Sequence, residues 1–206
     1  MTQARTPGAA RLAWIVAAAA TLAMSFPALS MAQTPSTAAG GASAKRQMQI
    51  HKVPELGLEI WVENQPVWDT QLSAQTGRPT FVAQSPEGYH PPTVMTYASW
   101  PKEKVAPDLL IDMATTAIRR SSENFGLNGA QARNLDITPA KYGALVGYES
   151  VFKGLYDHVA MDVRVFVGQE PGKYPVALNM YTVRGKMANL DEQRRRAWGN
   201  LRYLPR

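Results

Sequence analysis

From about Gln47 the chain alternates apolar and polar residues. Leu58, Ile60 and Val62 fall on one side and Glu59, Trp61 and Glu63 on the other, which predicts a strand. Residues 79–85 (PTFVAQS) and 92–99 (PTVMTYAS) predict two more, with turn chemistry at Ser85-Pro86-Glu87-Gly88 between them. After Pro107 the period lengthens. Leu110, Met113, Ala114, Ala117, Ile118 and Ser121 recur at helical spacing. Asp108 stands near the start of this helix, where a carboxylate suits the dipole, and Gly126 follows Phe125 as a stop. The period then returns to two. Residues 131–138 (QARNLDIT) are a strand candidate, as are 143–153. Residues 157–167 (DHVAMDVRVFV) put Val159, Met161, Val163, Val165 and Val167 on one face and His158, Asp162, Arg164 and Phe166 on the other. Residues 168–173 (GQEPGK) read as a hairpin connection, and 175–183 (PVALNMYTV) return. A last helix is predicted from Asn189, a cap with Glu192 three residues on. Its apolar stripe is Leu190, Ala197, Trp198, Leu201 and Leu204.

Strands, helix, strands and a closing helix make an α+β order, and short runs joined by turns favour antiparallel pairing. The expectation is one antiparallel sheet of about six strands covered by two or more helices, in a single domain over residues 47–206.

A different pattern precedes it. Arg5 and Arg11 precede an apolar run, residues 12–24 (LAWIVAAAATLAM), followed by Pro27 and by small residues at Ser30 and Ala32. Basic, apolar and small-residue parts in this order predict a bacterial secretory signal, residues 1–32, cleaved after Ala32. An uncleaved anchor is the competing reading, but a run of about thirteen residues falls short of the ~20 that span a bilayer. Residues 33–46, small and polar in QTPSTAAGGASA, read as a flexible linker. The expected location is therefore the periplasm or the exterior.

Composition narrows the chemistry. The chain has 206 residues and no cysteine, which removes disulfides, thiol catalysis and thiolate metal sites. The formal charge of +6 falls by two when Arg5 and Arg11 leave with the signal, too little to imply nucleic acid. His51, His90 and His158 do not match the spacing of a helical zinc pair, so no metal or cofactor is implied. No G-x-S-x-G, G-x-G-x-x-G or P-loop occurs, and no catalytic residue is nominated. Asp157, His158 and Asp162 come nearest to a constellation. Arg194, Arg195 and Arg196 form the most conspicuous charge run. Helical spacing places Arg194 beside the apolar stripe, its stem packed and its guanidinium reaching a carboxylate, with Arg195 and Arg196 turned outward. Trp68 and Trp100 lie next to turns. All the domain's tryptophans are core if both sheet faces are covered, whereas Trp61 belongs to a binding surface if one face is bare.

The element order, together with the closing helix and its tryptophan (LDEQRRRAWGNL), resembles the PsbP-like family over about residues 47–204. That family includes PsbP proteins of photosystem II, DcrB-like periplasmic proteins and chaperones of type VI secretion effectors. The resemblance implies an antiparallel sheet covered by helices and mostly non-enzymatic binding roles. It carries over no catalytic residue, and the signal departs from the cytoplasmic effector chaperones. The function expected is a non-catalytic periplasmic or exported binding or chaperone-type protein. It would act on a protein or peptide partner in the cell envelope, with Trp61, Arg195 and Arg196 as binding candidates and an anionic lipid surface as a further contact. An envelope hydrolase built around Asp157, His158 and Asp162 is the alternative.

Overall fold

The computed structural model describes residues 47–74 and 78–205. The expected signal at 1–32 and the expected linker at 33–46 lie outside them. Ten strands and three helices follow one another as β1 (Met48–Val53), β2 (Leu58–Glu63), β3 (Asp69–Ser73), β4 (Thr80–Gln84), β5 (Thr93–Ser99), α1 (Leu110–Glu123), α2 (Gly129–Arg133), β6 (Thr138–Tyr142), β7 (Leu145–Tyr156), β8 (Val159–Gln169), β9 (Val176–Val183), α3 (Asp191–Gly199) and β10 (Arg202–Tyr203). A 3-10 turn, Met187–Leu190, leads into α3. The α+β order and the antiparallel pairing are as expected. The single sheet of about six strands is not. There are two sheets, one of seven strands in the order β3-β4-β5-β9-β8-β7-β6 and one of three in the order β1-β2-β10. Alternation within each run foretells a strand but not which strands pair, so the smaller sheet was invisible along the sequence.

The seven-stranded sheet buries side chains on both faces. On one face Val82, Val94, Phe152, Met161, Val163, Val165, Val167 and Tyr181 pack with Ala114 and Ile118 of α1. On the other, Phe81, Met95, Tyr97, Phe166, Leu178 and Met180 pack with Leu58, Ile60 and Val62 of β2 and with Ala197 and Trp198 of α3. Consecutive residues of a strand point to opposite faces, so Phe166 feeds the core beneath α3 and β2 (core one) and Val167 the core beneath α1 (core two).

By sequence the natural cover for the apolar stripe of the closing helix is the face of Val159, Met161, Val163 and Val165, and the structure corrects this expectation. The face carrying Met161, Val163 and Val165 is a natural apolar seat for the closing helix, but α1 occupies it. Trp198 instead meets Phe166 at 6.5 Å and stands edge-on to Tyr142 at 5.0 Å, on the reverse side. Val159, assigned to the same seat, is exposed.

Two local readings also change. Residues 131–138 do not form a strand. Asn128 is extended and donates its N–H to Gln131 Oε1 at 3.4 Å, and this capping starts the short α2 instead. The strand begins only at Thr138. Pro139 is tolerated there because β6 is an edge strand and the missing N–H faces away from β7. At the last helix Asn189 is not the cap. It lies inside the 3-10 turn, its N–H donating to Lys186 O at 3.0 Å, and α3 starts at Asp191. Gly126 does end the α1 region, adopting the left-handed φ of 77°.

Candidate functional site

The Asp157-His158 pair is not on a strand. Both residues are left-handed, with φ of 46° and 63°, and they form the two-residue turn between β7 and β8. Both are exposed. Asp162 is buried in β8, where its Oδ2 accepts the N–H of Gly185 at 2.7 Å and of Met187 at 3.4 Å. The carboxylate ties the β9–α3 connection to the sheet. The three residues are thus divided between a solvent-exposed turn and a buried latch. Asp162→Ala should cost about 1–3 kcal/mol, since it leaves two enclosed donors without their acceptor. Chemical denaturation checks this, and a loss below about 0.5 kcal/mol would mean that the connection holds without the carboxylate.

The basic run divides as its spacing predicts, with one difference. Arg194 is packed, its Nη2 3.2 Å from Asp191 Oδ1 and its guanidinium carbon 5.5 Å from the centre of the Tyr142 ring. Arg195 is exposed. Arg196, expected to face outward, is half-buried and paired with Glu192 one turn earlier. Tyr142 links this helix to the sheet. Its hydroxyl donates to Glu149 Oε2 at 2.5 Å, and Arg164 Nη1 donates to Glu149 Oε1 at 2.7 Å. Burial, then the Glu149 carboxylate, push the Tyr142 hydroxyl up to about 12. It therefore stays a donor throughout the neutral range.

Trp68 and Trp100 are core. Trp61 is half-buried, opposite the exposed Ile50 of β1 on the outer face of the three-stranded sheet. Leu58, Ile60 and Val62 turn the other face of β2 toward α3, so Trp61 points away from the helix that carries Arg195 and Arg196, and the three binding candidates do not form one cluster among the described residues. Nor do three histidine, aspartate or glutamate side chains gather there in a way that could hold a metal ion. Among the described residues no helix is long and apolar enough to cross a membrane.

A different place stands out. β6 pairs with β7 only along 145–149, whereas β7 continues to Tyr156. Leu155 N–H points away from β8 and donates to Phe125 O at 2.8 Å. By the two-residue period, Val151 and Lys153 also direct their N–H and C=O away from β8, along an edge with no strand partner among the described residues. Their side chains lie on the face of core one beyond the cover of α3. Val151 is 49% exposed and Leu155 54%. A groove of 380 Å³ straddles this edge, lined by Phe125, Leu127, Phe152 and Leu155 with Gln131, Lys153 and Arg184 among them.

Sequence reasoning missed this site. The length of the apolar alternation from 143 onward was a signal for a long strand, but that its second half lacks a neighbour follows only from the short β6. The chain matches no family model and no curated protein.

Proposed function

We propose that this is a non-catalytic binding or chaperone-type protein of the bacterial cell envelope, which holds an extended segment of a partner protein as an added strand along the free edge of β7. The observation that carries the reading is that edge. It presents unpaired backbone groups at Val151 and Lys153, exposed apolar side chains at Val151 and Leu155, and an apolar groove alongside. Unpaired strand edges are templates for pairing, and proteins normally shorten, cover or charge them. Strand addition draws affinity from main-chain hydrogen bonds and selectivity from pockets for alternate side chains. A PsbP-like architecture, with helices on an antiparallel sheet and binding as the usual role, accords with this reading. So do the secretory signal at 1–32 and an export location. The exposed Arg195 supplies a second contact, to an anionic surface.

The edge is tested by Val151→Pro. The lost N–H faces outward, so the β7–β8 ladder keeps its hydrogen bonds, while an added strand loses one of its own. Held against an unfolded model polypeptide, the wild-type domain should slow aggregation and Val151→Pro should not, at a near-unchanged melting temperature. Equal activity in both would take the function away from this edge. N-terminal sequencing of envelope material should find a chain beginning near Gln33. Intact residues 1–32 in a detergent-requiring form would refute cleavage.

A further inference from the structure

Most of the strand edges in this domain carry a device against pairing. β6 holds Pro139 and Lys141, β1 holds Lys52, the open stretch of β7 holds Lys153, and β10 is only two residues long. β3 is the exception. Its five residues (DTQLS) include no proline, lysine or arginine, and they pair with β4 in an unbroken register. The backbone groups it leaves open are set by β4. Ser85 N–H donates to Thr93 O, so Ser85, Ala83 and Phe81 turn their backbone groups to β5, while Gln84, Val82 and Thr80 turn theirs to β3. The residues across from those three are Asp69, Gln71 and Ser73. Thr70 and Leu72 therefore direct N–H and C=O outward, along an edge with no strand partner among the described residues. The Leu72 side chain is 44% exposed, across from Phe81 at the rim of core one.

We infer that a second copy of this chain fills this edge, β3 pairing antiparallel with β3 of the other copy about a two-fold axis through Gln71. The inference goes beyond the strand-addition reading and stands without it. β3 is complementary to itself in that register. Thr70 faces Leu72 of the other copy, and both are outward residues, so each of the two such pairs exchanges its N–H and C=O groups. Registers centred on Thr70 or on Leu72 keep only one such pair within the strand. Asp69, the only charged residue of β3, faces Ser73 rather than a second carboxylate, so no like charges stand opposite each other. The two Leu72 side chains become diagonal neighbours and cover apolar surface that each copy leaves exposed. The same patch meets itself, as a closed two-fold dimer requires. The two seven-stranded sheets then run on as one, with the β7 edges toward its opposite ends.

Sedimentation velocity of the purified protein over a range of concentrations tests this. The wild-type protein should form a reversible dimer. Thr70→Pro should abolish it at a near-unchanged melting temperature, because the lost N–H faces outward and the β3–β4 ladder keeps its hydrogen bonds. Gln71 is exposed and sits on the axis, in a close non-hydrogen-bonded pair with its own copy. Gln71→Lys and Gln71→Glu should each raise the dimer dissociation constant about fivefold, as like charges directly opposite do. An equal mixture of the two should recover dimerisation as a heterodimer. Val151→Pro should leave the dimer in place. A wild-type protein that stays monomeric at every concentration would overturn the inference. So would a dimer that survives Thr70→Pro, or a mixture of the two charged variants that dimerises no better than its components. A dimer dissolved by Val151→Pro would overturn it by moving the self-contact to β7. A dimer seen only once residues 33–46 are removed would overturn it as well, giving the edge to the chain's own N-terminal segment.

Discussion

Trp198→Ala should lower the unfolding free energy by about 3–5 kcal/mol, the range for emptying a large aromatic site in a core. The indole is fully buried and sits where α3, β6 and the seven-stranded sheet converge. It stands edge-on to Tyr142 at 5.0 Å, and Tyr142 is itself edge-on to Phe166 at 4.9 Å, so three rings brace one another. Removing one ring of this trio leaves the other two short of a partner and opens a void that a helix and a sheet cannot close by small shifts. For a domain whose total stability is about 5–15 kcal/mol, this is a large share. Denaturant unfolding should show a lower midpoint at an unchanged slope. Arg195→Ala, on the exposed side of the same helix, should change stability by less than about 0.5 kcal/mol. If Trp198→Ala leaves the midpoint in place, α3 does not hold core one together.

Phe125→Ala should have an effect of similar size on the opposite face, again about 3–5 kcal/mol. Phe125 follows α1 and closes core two from the end of the sheet. Its ring centre lies 5.2 Å from that of Tyr181, 6.0 Å from Tyr156 and 6.1 Å from Phe152. Gly154 is the reason it fits, since a Cβ at that position would lie 2.6 Å from both the Cβ and the carbonyl oxygen of Phe125. Unlike Trp198, Phe125 also walls the groove at the β7 edge. The variant should therefore weaken the holding of an unfolded model polypeptide as well as the fold. Phe125→Leu separates the two, as a smaller hydrophobic swap costs less than about 1.5 kcal/mol when the core can adjust. Full stability in Phe125→Ala would show that α1 is seated by Ala114 and Ile118 alone.

Much of the fold was legible because periodicity is local. Leu58, Ile60 and Val62 read as one buried face and are one, and the spacing of Leu110, Ala114 and Ile118 marked the buried stripe of α1 before any packing was known. Arg194 was placed beside the apolar stripe by helical geometry and does pack there, against Tyr142. The places where the reading failed share one cause. An apolar face declares that it will be covered, not by what. Met161, Val163 and Val165 suited α3 as well as α1, and Phe166, alone among polar residues on the alternate face, decided where Trp198 lies.

The candidate site belongs to the same category. Sequence by itself determined that a strand would run over residues 143–153 and so through Val151, that cysteine chemistry was excluded, and that Asp157 and His158 belonged to no known catalytic motif. The tertiary structure alone decided that those two residues form a left-handed turn, that Asp162 serves backbone donors, and that β6 stops at Glu149 of its neighbour. The physical reason is that hydrogen bonds between strands are made by backbone groups every residue carries. Side-chain pattern therefore reveals the face of a strand but not whether its edge is filled.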